Sequence, residues 1–210
     1  MTTGNREDYL INILRLTEHK PIAKTTELAS FMDVTAASVS EMLSTLSKEG
    51  MVSYQKYKGV SLTDEGLTYA RHLRRKHHIM EHFLINILEA DKLTAHEEAC
   101  RMEHVLSDKS AKKLCQITGY SENCDECRDE CISTATVTLT SMKPMTCGVI
   151  SYLRSVDSSQ LRKLISIGLI PGKTIRKDND PVAGTSIVHV GGFDIAVGED
   201  LTDAVFVDPE

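Results

Sequence analysis

At 210 residues, with 41% hydrophobic and 26% charged residues and a net charge of −6, the chain has the composition of a soluble globular protein of one large or two small domains. No apolar run approaches the ~18 residues of a membrane span and no signal-peptide core opens the chain, so cytoplasmic residence away from membranes is the expectation. The acidic total excludes a surface coated in basic charge, yet the charge is uneven: residues 1–76 hold 11 Lys and Arg against 9 Asp and Glu, while the remainder hold 13 against 21.

In chain order, REDYLINILRLTEH (6–19) repeats apolar Leu10, Ile13, Leu14 and Leu16 at a helical period, and Pro21 closes the helix. KTTELASFM predicts a short helix capped by Thr25 or Thr26. A turn at Asp33–Val34 and a Thr35 cap start a second helix, which ends at Gly50. MVSYQKYKGVSLTDEG alternates apolar positions around Lys58–Gly59 and predicts a two-stranded hairpin. From a Thr63 cap a long helix runs through TYARHLRRKHHIMEHFLINIL.

Helix, short helix, turn, helix and hairpin is the order of a winged helix-turn-helix, for which double-stranded DNA is the expected partner. The helix over 35–48 would enter the major groove. Its outward residues Thr35, Ala37, Ser38, Ser40, Glu41 and Ser44 are small or polar, and Lys48, Lys56 and Lys58 would meet phosphates. No Arg, Asn or Gln stands ready for bidentate base contacts. A helical bundle with a surface hairpin is the bland alternative.

Two further helices follow, over 93–106 and about 107–118, giving an all-helical middle domain. Residues 119–136 are loop-like. From Thr136 short β-rich runs with Gly and Pro turns predict a small β-barrel. The expectation is an α+β chain: a winged helix-turn-helix over 1–73, a helical dimerisation and metal-binding domain with a Cys-rich linker over 74–135, and an SH3-like barrel over 136–210. Phe83, Leu84, Ile87 and Leu88 serve either a homodimer interface or the monomer core.

The stretch AHEEACRMEHVLS (95–107) carries the chemistry. On a helix, His96, Cys100, Glu103 and His104 fall at about 0°, 40°, 340° and 80°, a single arc. These side chains are costly to bury unless something binds them. His77 and Glu81, at i and i+4 on the long helix, extend the set. His77, Glu81 and His96 are expected around one ion, and Cys100, Glu103 and His104 around another. Imidazole, carboxylate and thiolate suit Fe(II), Mn(II), Co(II), Ni(II) or Zn(II) rather than Mg or Ca. His78, His82 and Glu97 read as solvated helix surface. HEEAC departs from the zinc-protease HExxH, because Cys100 stands at the second His, and the chain shows no Ser-His-Asp order, phosphate loop or dinucleotide fingerprint. An enzyme is not expected.

EDYLINIL, the helix-turn-helix and wing, RRKHHIMEHFL and HEEACRMEHVLS together resemble the metal-dependent repressors of the diphtheria-toxin-repressor type, over essentially the whole chain, with a C-terminal barrel similar to FeoA. The resemblance implies a homodimeric repressor whose corepressor is a divalent metal. It implies one site at His77, Glu81 and His96, and a regulatory site at Cys100, Glu103 and His104 with a first-helix residue, here Asp8. The manganese-sensing branch has Glu where this chain has Ile11 and Cys100, so the thiol points to Fe(II). The barrel positions that lend ligands in the iron-sensing branch fall on Tyr152 and Ser155, which are not obvious ligands.

CDECRDEC places Cys124, Cys127 and Cys131 in a polar loop, one thiolate short of a tetrahedral set that Cys147 or Cys115 would complete. Zinc or another structural metal, an iron–sulfur cluster, or thiols without metal are the alternatives for this loop. A rival reading makes this loop the sensor of a redox-responsive DNA-binding regulator.

Overall fold

The computed structural model describes residues 3–119, 135–154 and 157–210. It comprises two compact units, Met1–His77 with Cys100–Val105, and His78–Ala99 with Leu106–Glu210.

The first unit opens with α1 (Thr3–Thr17), which buries Tyr9, Leu10, Ile11, Ile13 and Leu14. The short helix α2 (Thr25–Phe31) is capped at Lys24, not at Thr25 or Thr26 as the sequence suggests. Glu27 reaches back to accept from the Lys24 amide at 2.9 Å, and the two threonines join the first turn instead. A turn with Asp33 at φ 52° leads into α3 (Ala36–Lys48), whose Thr35 cap accepts from the Ser38 amide. Val39, Met42, Leu43 and Leu46 form its buried stripe.

Strands β1 (Val52–Gln55) and β2 (Gly59–Leu62) pair antiparallel as the wing. Ala23 bridges to Val60 through two 2.9 Å hydrogen bonds, which fastens the wing to the chain between α1 and α2. A side chain at Gly59 would strike the Ala23 carbonyl, and its φ of 126° also suits glycine. Helix α4 (Asp64–Asn86) follows, with Asp64 and Glu65 in its first turn.

In the second unit the later part of α4 packs Met80 and Leu84 against Ala95 and Ala99 of α5 (Lys92–Met102). Ile79 packs against Ala111 and Cys115 of α6 (Asp108–Thr118), which Ser107 caps. Leu84 and Ile87 serve the core of this chain, whereas Leu88 is exposed. No helix among the described residues is long and apolar enough to cross a membrane.

The C-terminal part is a six-stranded antiparallel sheet in the order β3 (Val137–Thr138), β8 (Val205–Pro209), β4 (Thr146–Leu153), β5 (Thr174–Lys177), β6 (Thr185–Val190) and β7 (Phe193–Gly198). Helices α7 (Ser158–Ser166) and α8 (Glu199–Thr202) cover its core of Leu139, Ile150, Leu153, Leu164, Ile175 and Val205. The register shifts between Ile150 and Tyr152, a bulge that bends β4. Lys177 is fully buried and donates to the Thr140 and Met142 carbonyls at 2.7 and 2.8 Å.

Candidate metal centre

Helix α5 stops at Met102, before the whole of the expected stripe is wound. Glu103 and His104 lie in the turn that follows, closed by the Val105 amide on the Met102 carbonyl at 3.1 Å. The chain must leave the helix there because Ser107 caps the next one. The single-arc picture therefore gives way to a helix end with a turn. The turn directs Glu103 inward, 3% exposed, and His104 toward α1.

From α1, Asp8 Oδ1 lies 2.9 Å from His104 Nε2, and Glu103 Oε1 lies 3.6 Å from the same nitrogen. Ligand atoms of Asp8, Glu103 and His104 fall within 4.8 Å of one another. Burial pushes the Asp8 carboxyl above its ordinary range; His104 opposes that shift, and Glu103 and Glu7 reinforce it. Cys100 belongs to the same unit. Its thiol is raised first by burial and then by Glu103 and Asp8, while Arg15 pulls it down.

His77 is buried in this unit, its Nδ1 2.8 Å from Glu103 Oε2. The two atoms are close without hydrogen-bond alignment, so Glu103 Oε2 has no donor among the described residues. A buried carboxylate oxygen without a donor is expensive in an apolar setting, and a cation would neutralise it. Two carboxylates and an imidazole form a set that fits a first-row transition metal, and Cys100, which feels the charges of Glu103 and Asp8, is not a member of that 4.8 Å group. Ile11, where the manganese-sensing branch has a carboxylate, is buried in the core.

Glu81 and His96 lie in the second unit, 3.4 Å apart, with His96 nearly half exposed. Tyr152 is buried and stacked on Phe206, with ring centroids 4.4 Å apart. That packing accounts for an aromatic ring at this strand position. Ser155 lies outside the described residues, as do Cys124, Cys127 and Cys131. Cys147 is half-buried on β4 opposite Arg176, and Cys115 is buried in α6.

Glu7 escaped the sequence reading. It stands one residue from Asp8, about 100° away around the helix, so it looks like a solvated charge. In the structure its Oε2 is 2.6 Å from His104 Nδ1, and Tyr69 of α4 donates to its Oε1. The only sequence signal was its place in EDY, beside Asp8.

The proposed DNA face is exposed at Thr35, Ala37, Ser38, Glu41, Ser44, Lys48, Lys56 and Lys58, with Ser40 half-buried. Ser40 donates to the Ala36 carbonyl and Ser44 to the Ser40 carbonyl, each at 2.8 Å. Their hydroxyl protons are thereby tied to the helix, and α3 presents a low, small-residue surface.

Three family models match the chain: the iron dependent repressor N-terminal DNA binding domain over residues 1–60, the iron dependent repressor metal binding and dimerisation domain over 63–131, and the FeoA domain over 137–209. A helix-turn-helix-type transcriptional regulator of Methanocaldococcus jannaschii is 39% identical over 109 residues, 51% of this chain and 87% of that protein. The regulator MntR of Bacillus subtilis is 32% identical over 125 residues, 60% of this chain and 87% of its own length. Among solved structures, the manganese regulator SloR superposes with a TM-score of 0.51 over the whole of both chains at 26% identity.

Proposed function

Because the chain belongs to the iron-dependent repressor family of metal-dependent transcriptional repressors, with a FeoA domain at its C-terminal end, we propose that it is an Fe(II)-responsive repressor whose corepressor site is Asp8, Cys100, Glu103 and His104. The observation that carries this reading is the meeting of Asp8 from α1 with Glu103 and His104 beyond α5, around a buried carboxylate oxygen that accepts no aligned hydrogen bond among the described residues.

A bound divalent cation supplies the positive charge that lets these acidic groups sit together. Asp8 holds the α1 side, and Cys100, Glu103 and His104 hold the other. Between them they tie the first helix of the reading head to the end of α5. In the metal-free chain Asp8 and Glu103 repel each other, and α1 is held less firmly. Ordering α1 selects a head arrangement suited to successive major grooves, in a homodimer acting on cytoplasmic DNA. A coupling of about 1–3 kcal/mol changes operator affinity by one to two decades.

Cys100 supports iron, since a thiolate favours Fe(II) over Mn(II), and the carboxylate that a manganese pair would need at position 11 is replaced by buried Ile11. Manganese is the second reading, on the strength of relatives such as the manganese regulator SloR. In this assignment residues 1–73 read DNA through α3 and the wing lysines, 74–135 sense and dimerise, and 136–210 form the FeoA-like domain. His77 lies against Glu103, its Nδ1 2.8 Å from Oε2.

The test is anaerobic binding of the apo-protein to genomic DNA fragments with and without Fe(II), Mn(II) or Zn(II), repeated on Asp8→Ala and Cys100→Ala. Fragment-specific binding that requires metal and that both substitutions abolish is the expected result. Binding that ignores metal and survives both substitutions overturns the reading.

A further inference from the structure

His104 is gripped at both ring nitrogens, and the two partners have different surroundings. On one edge Nε2 faces Asp8 at 2.9 Å and Glu103 at 3.6 Å, the two carboxylates that share a 4.8 Å span with it. On the other edge Nδ1 meets Glu7 Oε2 at 2.6 Å. Glu7 is not part of the group around Nε2. Its side chain is well buried, 14% exposed, and its second oxygen accepts from the Tyr69 hydroxyl of α4. A carboxylate with both oxygens committed to donors, 97 residues from one partner and 62 from the other, is not a solvated helix charge.

We propose that Glu7 is the positioning residue of the corepressor site: it holds the His104 proton on Nδ1 and so leaves Nε2 as the ligand nitrogen. The inference rests on the metal-site reading above. A neutral imidazole carries one N–H, and whichever nitrogen bears it cannot bind a metal. With Glu7 accepting at Nδ1, the lone pair of Nε2 points at the space shared with Asp8 and Glu103. The negative charge of Glu7 also raises the donor strength of Nε2. Tyr69 fixes the carboxylate plane from a third element, so the ring is oriented by α4 as well as by α1. Adjacent residues of α1 divide the work: Asp8 faces the ion, and Glu7 faces the back of its ligand.

The experiment uses the full chain with ¹⁵N-labelled histidine. Long-range ¹⁵N–¹H spectra of the metal-free protein read the tautomer of His104, assigned by its loss in His104→Gln. Calorimetric titration with Co(II) reads metal affinity. Asp8 competes for the ring proton from the Nε2 side at 2.9 Å, so the spectra are taken on Asp8→Ala, where His104 is expected as the Nδ1–H tautomer. Adding Glu7→Ala to that variant should shift the ring toward Nε2–H, and Glu7→Ala alone should weaken Co(II) binding by about 10- to 100-fold. Glu7→Gln, whose amide oxygen still accepts from Nδ1–H, should retain the tautomer and lose less than about fivefold in affinity, by the same second-shell scale. A merely structural Glu7 would change thermal stability and leave the tautomer where it was. An unchanged tautomer on adding Glu7→Ala to Asp8→Ala, or an unchanged Co(II) affinity in Glu7→Ala alone, overturns the proposal. If the unmodified chain takes up no Co(II), the corepressor reading falls, and the tautomer spectra still decide what orients His104.

Discussion

Cys100 and Lys177 show how much the surroundings of one side chain decide. Burial and the neighbouring Glu103 carboxylate hold the Cys100 thiol above its ordinary range. The folded chain therefore binds the thiol proton more tightly than the unfolded chain does. The apo-protein keeps the full contribution of this group below the ordinary thiol range and loses it as pH rises through the raised value. Metal must displace that proton, so metal affinity should climb with pH, with proton release visible as a buffer-dependent titration enthalpy. Cys100→Ser should remove the thiol part of the release; unchanged release in that variant would exclude Cys100 as a ligand. Lys177 carries a different load. Its ammonium donates to two backbone carbonyls, those of Thr140 and Met142. Lys177→Met keeps the volume and strands both acceptors, at a cost of about 1–3 kcal/mol for each. Thermal melts should place that variant well below the unmodified chain. A Met variant of equal stability would mean that the buried charge costs as much as its hydrogen bonds return.

Among the elements, the joint between wing and α4 is the tightest. A Cβ on Gly66 would lie 1.9 Å from the Met51 carbonyl oxygen, and the Gly66 amide donates to Thr63 Oγ at 3.1 Å. Alanine is about 1 kcal/mol better than glycine inside a helix, but a backbone oxygen cannot yield the space. The steric effect wins, and Gly66→Ala should destabilise by at least about 2 kcal/mol. Chemical denaturation checks this, and a gain in stability would show that the turn relaxes. Elements were the most legible part of the sequence, because helix and strand periods are local. The Thr35 cap, the wing and the outward residues of α3 can all be read from spacing and residue type. The end of α5 could not, since Glu103 and His104 continue the helical pattern that the chain abandons. The Lys24 start of α2 likewise turns on where the Glu27 side chain reaches.

For the whole molecule, a ligand that binds only the folded chain must stabilise it. Divalent metal at 100 times its dissociation constant should add about 2.7 kcal/mol, seen as a rise in melting temperature. Asp8→Ala should reduce that rise toward zero while its metal-free melt stays near that of the unmodified apo-protein, because the half-exposed Asp8 carboxyl faces the like charges of Glu103 and Glu7. A full metal-induced rise in Asp8→Ala would place the ion elsewhere. The sequence by itself determined the fold class, the order of the elements and the supply of donors, because hydrophobic period, caps and residue type are local properties. The grouping of Asp8 with Glu103 and His104 came from the family resemblance and from no local pattern, and tertiary structure alone decided that Glu7 meets the far edge of His104 and that Glu103 lies beside His77. Such encounters join residues up to 97 positions apart, and no period along the chain encodes them. They follow from how α1 packs, where α5 ends and which way the turn after Met102 directs two side chains.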